Sequence, residues 1–168
     1  MSGEVAFGAA ISEDRKRGAI VAAGRERDGS RILVDLVWYD HPRRLAERLG
    51  ELYARHDPVA VVVNAKAQSG TLVRPLAEIG IVVLEPSAED VAVMHGEFLD
   101  LVNDGGLAHL DQPPLTAAVR AAAQRSLAGA SAWDPKVGTD QSPLVAATGA
   151  VWGFLRWEAV SSPGVWAI

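Results

Sequence analysis

The chain has 168 residues, of which 49% are hydrophobic and 22% are charged, and these values are typical of one globular domain with a substantial core. It contains no cysteine, which excludes a disulfide framework and a thiolate metal site and fits a cytoplasmic protein. The formal net charge of −5 opposes a general attraction to nucleic acid, so binding to DNA would require a local basic patch. We expect no membrane span, because no apolar run approaches the roughly 20 residues that a span requires.

Three strand patterns occupy the first forty residues. Residues 5–11 are an apolar run, residues 19–23 are another, and residues 31–39 alternate between two faces. The dipeptide Asp28-Gly29, a typical hairpin signal, separates the second pattern from the third. Because the connections are short, we predict an antiparallel meander of three strands.

The hydrophobic period then changes to that of helices alternating with short buried strands. Ser87 and Asp90 have the spacing of a capping box, and Gly80 is placed to end the helix before it. We predict strands over residues 59–63, 81–84, 107–110 and 130–134. We predict a helix that begins after Pro42 and ends near Asp57, helices over residues 69–79, 88–102 and 113–124, and a last helix from Asp140.

This order of elements predicts an α/β domain with a mixed sheet. The antiparallel meander comes first, the parallel strands follow, and helices cover both faces of the sheet. A ribonuclease H-like sheet has this order, and some other α/β folds share it.

The start of the last helix carries the most informative carboxylate. Asp140 suits an N-cap, and Pro143 is tolerated in a first turn because its missing amide would be unpaired there. Val145, Thr148 and Leu155 follow at helical spacing, which predicts one apolar face. From the residues alone, Asp140 is either a helix cap or a carboxylate that faces a metal ion.

Four stretches together resemble the C-terminal nuclease domain of the large terminase subunit of tailed phages. They are residues 7–15, 58–64, 107–115 and 140–148. The resemblance covers about residues 5–157, so we predict a domain over residues 1–157 and a C-terminal tail over residues 158–168. No phosphate loop ending in Gly-Lys-Ser or Gly-Lys-Thr occurs, so we expect the nuclease half alone or a stand-alone relative.

The resemblance implies a fold and a reaction. Members of this family have a ribonuclease H-like fold and cut concatemeric double-stranded DNA while a phage genome is packaged, inside the bacterial host cell. They work beside the terminase ATPase domain and the portal. Their acidic residues hold two divalent metals, Mg²⁺ or Mn²⁺, which clamp the attacking and leaving oxygens of a phosphodiester.

The family has one Asp on the first strand, one at the end of the fourth and one at the start of the last helix. The corresponding positions here are Ala10, Asn64 and Asp140, so one acid of three is retained. Alanine supplies no ligand and asparagine supplies no charge. We therefore expect impaired catalysis, and a non-catalytic DNA-binding or assembly module on the same fold is the alternative.

Three explanations for the missing acids stay open. The domain is naturally degenerate, or Ala10 and Asn64 are introduced inactivating substitutions, or a neighbouring acid serves instead. Glu13 and Asp14 lie in the turn after the first strand and Asp35 lies in the third strand. Glu85 ends the fifth strand beside the end of the fourth, which makes it a possible substitute metal ligand.

Basic residues near the first hairpin and after the fourth strand are the candidate DNA contacts. Arg15, Lys16 and Arg17 are consecutive, and a basic ridge there would follow backbone phosphates. Lys66 lies in a loop at the carboxyl end of a predicted parallel strand, where α/β sheets place ligands. The alternative for both segments is a solvated polar surface.

Overall fold

Strand β1 (Ala6–Ile11) lies in the interior of a five-stranded sheet. The computed structural model describes residues 3–161. The sheet has the order β4-β1-β2-β3-β5, and a separate two-stranded hairpin joins β6 to β7. The other strands are β2 (Gly18–Arg25), β3 (Ile32–Asp40), β4 (Ala60–Val63), β5 (Leu107–His109), β6 (Gln124–Leu127) and β7 (Ala130–Trp133).

Within residues 3–161, five α-helices pack around the sheet. They are α1 (Leu45–His56), α2 (Val73–Glu78), α3 (Ala88–Asn103), α4 (Pro113–Ala121) and α5 (Ser142–Ser161). Short 3-10 turns, Pro42–Arg44 and Gln68–Leu72, precede α1 and α2. The predicted capping box is confirmed at the start of α3, and Gly80 follows α2 with the left-handed φ of 83° that a C′ glycine adopts.

The sheet is mixed, as the sequence predicts. Strand β2 is antiparallel to both β1 and β3, which gives the meander, while β4 runs parallel to β1 and β5 runs parallel to β3. The parallel register aligns Ala9 with Val63, so the chain leaves β1 and β4 at the same edge of the sheet. The prediction of an α/β fold with a partly antiparallel, partly parallel sheet is confirmed.

Each face of the sheet has its own apolar core. Val21, Val34 and Ala10 belong to the core that includes α4, α5 and Phe98 of α3. Phe7, Ile20 and Val63 belong to the opposite core, with the apolar residues of α1 and α2. The alternation of strand side chains between the two faces explains why helices are found on both.

Helix α5 is buried more completely than its spacing predicts. Twelve of its residues, from Ser142 to Phe154, are buried, so an apolar stripe on one face is too narrow a description. Small residues allow this burial, because the backbone of α5 lies close to the backbone of β1. A Cβ built on Gly8 would lie only 2.7 Å from the backbone nitrogen of Ala150.

Two other local predictions need correction. Residues 81–84 do not form a strand, since their backbone pairs with β4 only through a single bridge between Leu84 and Val62, and Val82 is 88% exposed. The helix predicted to reach Gln124 ends at Ala121, because Gln124 begins the hairpin strand β6. The sequence pattern gave no sign of β6, whose residues are polar and mostly exposed.

The last helix extends into the segment predicted as a tail. Helix α5 continues to Ser161, and Glu158 accepts two hydrogen bonds from Arg25 of β2, at 2.8 and 2.7 Å. This pair fixes the end of α5 against the sheet. Residues 162–168 of the predicted tail lie outside the described residues. Among the helices within residues 3–161, none has the length and apolar character required to cross a bilayer.

Candidate functional site

An open cleft of about 900 Å³ lies where β1, the segment after β4 and the start of α5 meet. We call it the main cleft. A buried hydrogen bond of 3.0 Å from the backbone amide of Ile11 to Ser69 Oγ holds the loop after β4 against the end of β1. The charged residues that line the main cleft are Glu13, Asp14, Lys66, Arg125, Asp134, Lys136 and Asp140.

Both carboxylate oxygens of Asp140 accept hydrogen bonds from protein donors. Its Oδ1 accepts a hydrogen bond of 2.8 Å from the backbone amide of Ser142. Its Oδ2 accepts 2.9 Å bonds from the hydroxyls of Ser142 and Tyr39. Asp140 therefore caps the first turn of α5 and joins that turn to the end of β3.

Tyr39 is the cross-sheet partner that the sequence analysis missed. Burial, and then the hydrogen bond to Asp140, raise the pKa of Tyr39 to about 12, so its hydroxyl stays protonated and donates. No periodicity marks this contact, because 101 residues separate Tyr39 from Asp140. The residues next to Tyr39 in the sequence therefore do not indicate that its hydroxyl contacts Asp140.

The first-strand position is closed to metal chemistry. Ala10 is 1% exposed and packs in the apolar core shared with α5. It does not line the main cleft, and its methyl group offers no lone pair. The nearby acids Glu13 and Asp14 line the cleft, but both lie in the exposed turn after β1.

The side-chain amide at the fourth-strand position already takes part in a hydrogen bond within its own loop. Asn64 follows β4 directly, and its Oδ1 accepts a 3.1 Å hydrogen bond from the backbone amide of Lys66. Since Ala9 pairs with Val63, Ala10 and Asn64 are the next residues along two neighbouring strands. The structure thus brings two of the predicted site positions together at one edge of the sheet, close to the cleft.

The donor set does not fit a two-metal centre. Asp140 is the one carboxylate of the three positions and already accepts three hydrogen bonds from Tyr39 and Ser142, Ala10 has no donor, and the oxygen of Asn64 is neutral and hydrogen-bonded. Mg²⁺ and Mn²⁺ prefer hard oxygen ligands, and two such ions held close together need several carboxylates to offset their charge. Within residues 3–161, no three acidic or histidine side chains converge as a metal site would require.

Two alternative acids lie elsewhere. Glu85 is exposed in the segment after Leu84 and is not among the residues that line the main cleft. Asp35, in the middle of β3, accepts a 2.8 Å hydrogen bond from Gln112 Nε2, which ties β3 to the start of α4. Neither carboxylate is held beside Asp140.

The basic residues predicted as DNA contacts separate into two groups. Arg15 is bound to the Gln68–Leu72 turn through Gln68 and Thr71, at 3.0 to 3.2 Å. Lys16 and Arg17 are exposed and lie within 4 Å of acidic side chains, Asp14 and Asp40 respectively. Lys66, by contrast, lines the main cleft.

The β6–β7 hairpin contributes two further cations to the main cleft. Arg125 lies on β6 and Lys136 follows β7, and both are exposed. Neither forms a salt bridge with any residue between positions 3 and 161. Sequence analysis missed them because only the folded hairpin places them opposite Lys66 and Asp140.

Comparisons with known proteins identify relatives through structure and not through sequence. No protein-family model matches the chain, and no curated protein matches it. The large terminase of bacteriophage HK97 shares 16% identity and superposes with a TM-score of 0.68, over 90% of this chain and 40% of that one. The large terminase nuclease of the thermophilic phage G20c shares 12% identity, with a TM-score of 0.69 over 91% of this chain and 83% of that one.

A third solved structure agrees with these two. The nuclease domain of the large terminase of Thermus phage P74-26 has a TM-score of 0.62 and 11% identity, over 90% of this chain and 80% of that one. At such identities the likeness establishes the fold, which is the ribonuclease H-like fold of phage terminase nuclease domains. The fold that the sequence resemblance implied is confirmed.

Proposed function

We propose that this chain is a non-cleaving, double-stranded DNA-binding domain on the terminase nuclease fold. The observation that carries the proposal is the state of Asp140, whose two carboxylate oxygens accept three hydrogen bonds from Tyr39 and Ser142. The one retained acid thus has a structural task. With Ala10 and Asn64 at the other two positions, the site lacks the charge that two divalent ions need.

DNA binding is supported by the cations that line the main cleft. Lys66, Arg125 and Lys136 come from two different segments and face one open space of about 900 Å³. Four acidic side chains also line it, so the cleft is not uniformly basic. We expect weak, salt-dependent binding to backbone phosphates and little sequence preference.

The biological setting follows from the relatives. We infer that the chain acts in the packaging of a phage genome inside a bacterial host, beside a terminase ATPase domain or a portal. The three solved structures described above support this setting, because all three are large terminases of phages or their nuclease domains.

A binding titration and a cleavage assay test the proposal together. Fluorescence anisotropy with a short duplex should show binding, and the removal of any one of Lys66, Arg125 and Lys136 should lower the salt slope by about 0.9. Arg55→Ala is the matched control, because Arg55 is exposed at the end of α1, which leads to the opposite end of β4. It should leave the slope unchanged.

The cleavage assay uses supercoiled plasmid with Mg²⁺ or Mn²⁺. We expect no nicking by the chain as it stands. The variant with Ala10→Asp and Asn64→Asp, combined with Tyr39→Phe to release Asp140, tests whether the site has been placed correctly. Metal-dependent cleavage by the unmodified chain that Asp140→Asn abolishes would overturn the proposal, and so would the absence of duplex binding.

A further inference from the structure

Trp133 anchors the β6–β7 hairpin to the rest of the domain. The two strands form a sheet of their own, and Ala132 is the single buried residue in them. Trp133, at the end of β7, packs edge-on against Phe98 of α3 at a centroid distance of 6.1 Å. Its Nε1 donates a 2.9 Å hydrogen bond to Thr148 Oγ1 of α5. A two-stranded hairpin is at best marginally stable alone in water, so this one requires these contacts.

The imidazole of His95, on α3, packs closer to the Trp133 ring than Phe98 does. The two ring centroids are 4.4 Å apart, and the rings meet edge-on at an angle of 68°. His95 is 3% exposed, and its Nε2 has no hydrogen-bond partner among residues 3–161. An imidazolium carries a charge and two N–H donors, whereas the neutral ring has one donor and one acceptor. Because a buried unpaired charge costs far more than a buried unpaired neutral atom, the closed contact suits only the neutral form of His95.

The charged groups around His95 do not neutralise an imidazolium. Within residues 3–161, none of the salt bridges involves His95, and the residues one turn away on its own helix are apolar: Val91, Ala92, Phe98 and Leu99. Of the other acids of α3, Glu89, Glu97 and Asp100 are exposed and Asp90 is bound to Ser87. The charged residues on or directly after the elements that pack against α3 are Arg125 of β6, Asp134 after β7, and Arg156 and Glu158 of α5. Arg125 and Arg156 have the sign of an imidazolium, and the two acids already accept hydrogen bonds from Lys136 and Arg25.

Proton binding at His95 is therefore coupled to the position of its neighbours. Burial lowers the pKa of His95 from its ordinary 6.5, and an imidazole that reaches water regains the ordinary value. The form of the chain in which His95 is exposed thus binds the proton more tightly than the closed form. The closed form keeps its full stability above pH 6.5 and loses stability as the pH falls below 6.5 towards the lowered pKa.

We propose that protonation of His95 releases the β6–β7 hairpin from α3. The hairpin is the part that moves, because it is a two-stranded ribbon that Trp133 anchors, whereas His95 lies in the middle of α3 between Met94 and Phe98 of the core. Displacement of Trp133 admits water to the imidazole and leaves the five-stranded sheet intact. Arg125 moves with β6, so acid also removes a positive charge from the wall of the main cleft. The switch itself does not require the chain to bind DNA.

Amide hydrogen exchange of the full chain, followed by NMR and corrected for the intrinsic effect of pH on exchange, is the first test. The backbone amides of β6 and β7 and the indole N–H of Trp133 report opening of the hairpin. We expect their exchange to be constant above pH 6.5 and to rise by up to about tenfold for each pH unit below it. The amides of β1 and β2 are the internal control and should keep their protection down to about pH 5.5, where carboxylates are still largely ionised.

Variants separate the proton from the packing. His95→Leu retains a buried apolar side chain but cannot be protonated, so exchange of the hairpin should no longer depend on pH in this range. Trp133→Phe retains an aromatic ring but loses the hydrogen bond to Thr148, so exchange of the hairpin should rise by about fivefold at every pH while its dependence on pH persists. His56→Gln is the control, because His56 is exposed at the end of α1, and it should behave as the unmodified chain does.

Three results would overturn the proposal: hairpin exchange that does not change between about pH 7.5 and about pH 5.5, an equal rise in β1 and β2, or a rise that persists in His95→Leu. If His95→Leu does not fold, NMR titration of the His95 ring in the unmodified chain decides. A midpoint below 6.5 that coincides with the change in the hairpin signals supports the switch, and a midpoint at or above 6.5, or a ring that titrates while the hairpin signals stay constant, contradicts it. Because no DNA is present, the outcome is independent of duplex binding and of cleavage.

Discussion

The hydroxyl of Tyr39 donates a 2.9 Å hydrogen bond to Oδ2 of Asp140, across 101 residues of sequence. Through this bond, the end of β3 is joined to the first turn of α5. A metal ion at this point of the fold would have to share the carboxylate with these protein donors. The Tyr39 phenol and Ser142 use it to hold the start of α5 in place.

Tyr39→Phe should therefore lower stability. The substitution leaves Oδ2 of Asp140 with only the Ser142 hydroxyl, and a hydrogen bond to a charged group contributes roughly 1 to 2 kcal/mol at a half-buried site. Urea denaturation measures the change in the free energy of unfolding. Tyr53→Phe is the control, because Tyr53 is equally half-buried but its hydroxyl has no hydrogen bond to residues 3–161. Equal losses in the two variants would show that the Tyr39–Asp140 bond contributes nothing specific.

Stability should also fall at alkaline pH. The pKa of Tyr39 is about 12 in the folded chain against an ordinary 10.0, so the unfolded chain loses this proton first. The contribution is complete below pH 10.0 and is lost as the pH rises towards about 12. The chain has two tyrosines, so phenolate absorbance can be assigned by difference. The component that titrates near pH 12 should disappear in Tyr39→Phe and persist in Tyr53→Phe; its persistence in Tyr39→Phe would refute the assignment.

The contact between β1 and α5 predicts a large effect of a single methyl group. Gly8→Ala would place a Cβ against the backbone of Ala146 and 2.7 Å from the nitrogen of Ala150, neither of which can rotate away. We expect a loss of roughly 3 kcal/mol or more, or failure to fold. Gly96→Ala is the control, because a Cβ there meets nothing within 4 Å and a helix gains roughly 0.5 to 1 kcal/mol from it. A tolerated Gly8→Ala would mean that α5 lies farther from the sheet.

Local chemistry explains which elements could be predicted. The run 59–63 and the capping box of Ser87 and Asp90 depend on near neighbours, so β4 and the start of α3 were found close to their positions. The polar strand β6 was missed because only its pairing with β7 makes it a strand. The prediction of a strand over residues 81–84 was wrong. An apolar run does not show how much of a neighbouring strand can form hydrogen bonds with it.

The residues of the candidate site also divide into those that the local sequence indicates and those that depend on distant contacts. Asp140 could be selected from its place before a helix, and Lys66 from its loop at the end of a parallel strand. Tyr39, His95 and Arg125 could not, because their relevance arises from contacts across long stretches of the chain. The sequence also did not predict that α5 is buried on nearly every side, because small residues such as Ala146 weaken the hydrophobic periodicity.

We expect Ala10→Asp to lower the stability of the fold. A metal ion should restore part of that stability only when the other two carboxylates are present. Ala10 is 1% exposed in an apolar core, and an unpaired carboxylate there costs on the order of 3 kcal/mol. The triple variant Ala10→Asp, Asn64→Asp and Tyr39→Phe carries a carboxylate at each of the three positions and lacks the phenol that bonds to Asp140. Millimolar Mn²⁺ should raise the melting temperature of this variant by mass action.

Thermal melting with and without Mn²⁺ is the measurement. The unmodified chain and Ala10→Asn are the controls, because neither supplies a charge at this position, and neither should respond to the ion. A triple variant whose melting temperature is indifferent to Mn²⁺ would show that these three positions do not surround a common point. A response of the unmodified chain as large as that of the variant would show that Asp140 recruits a metal while it accepts the hydrogen bonds from Tyr39 and Ser142.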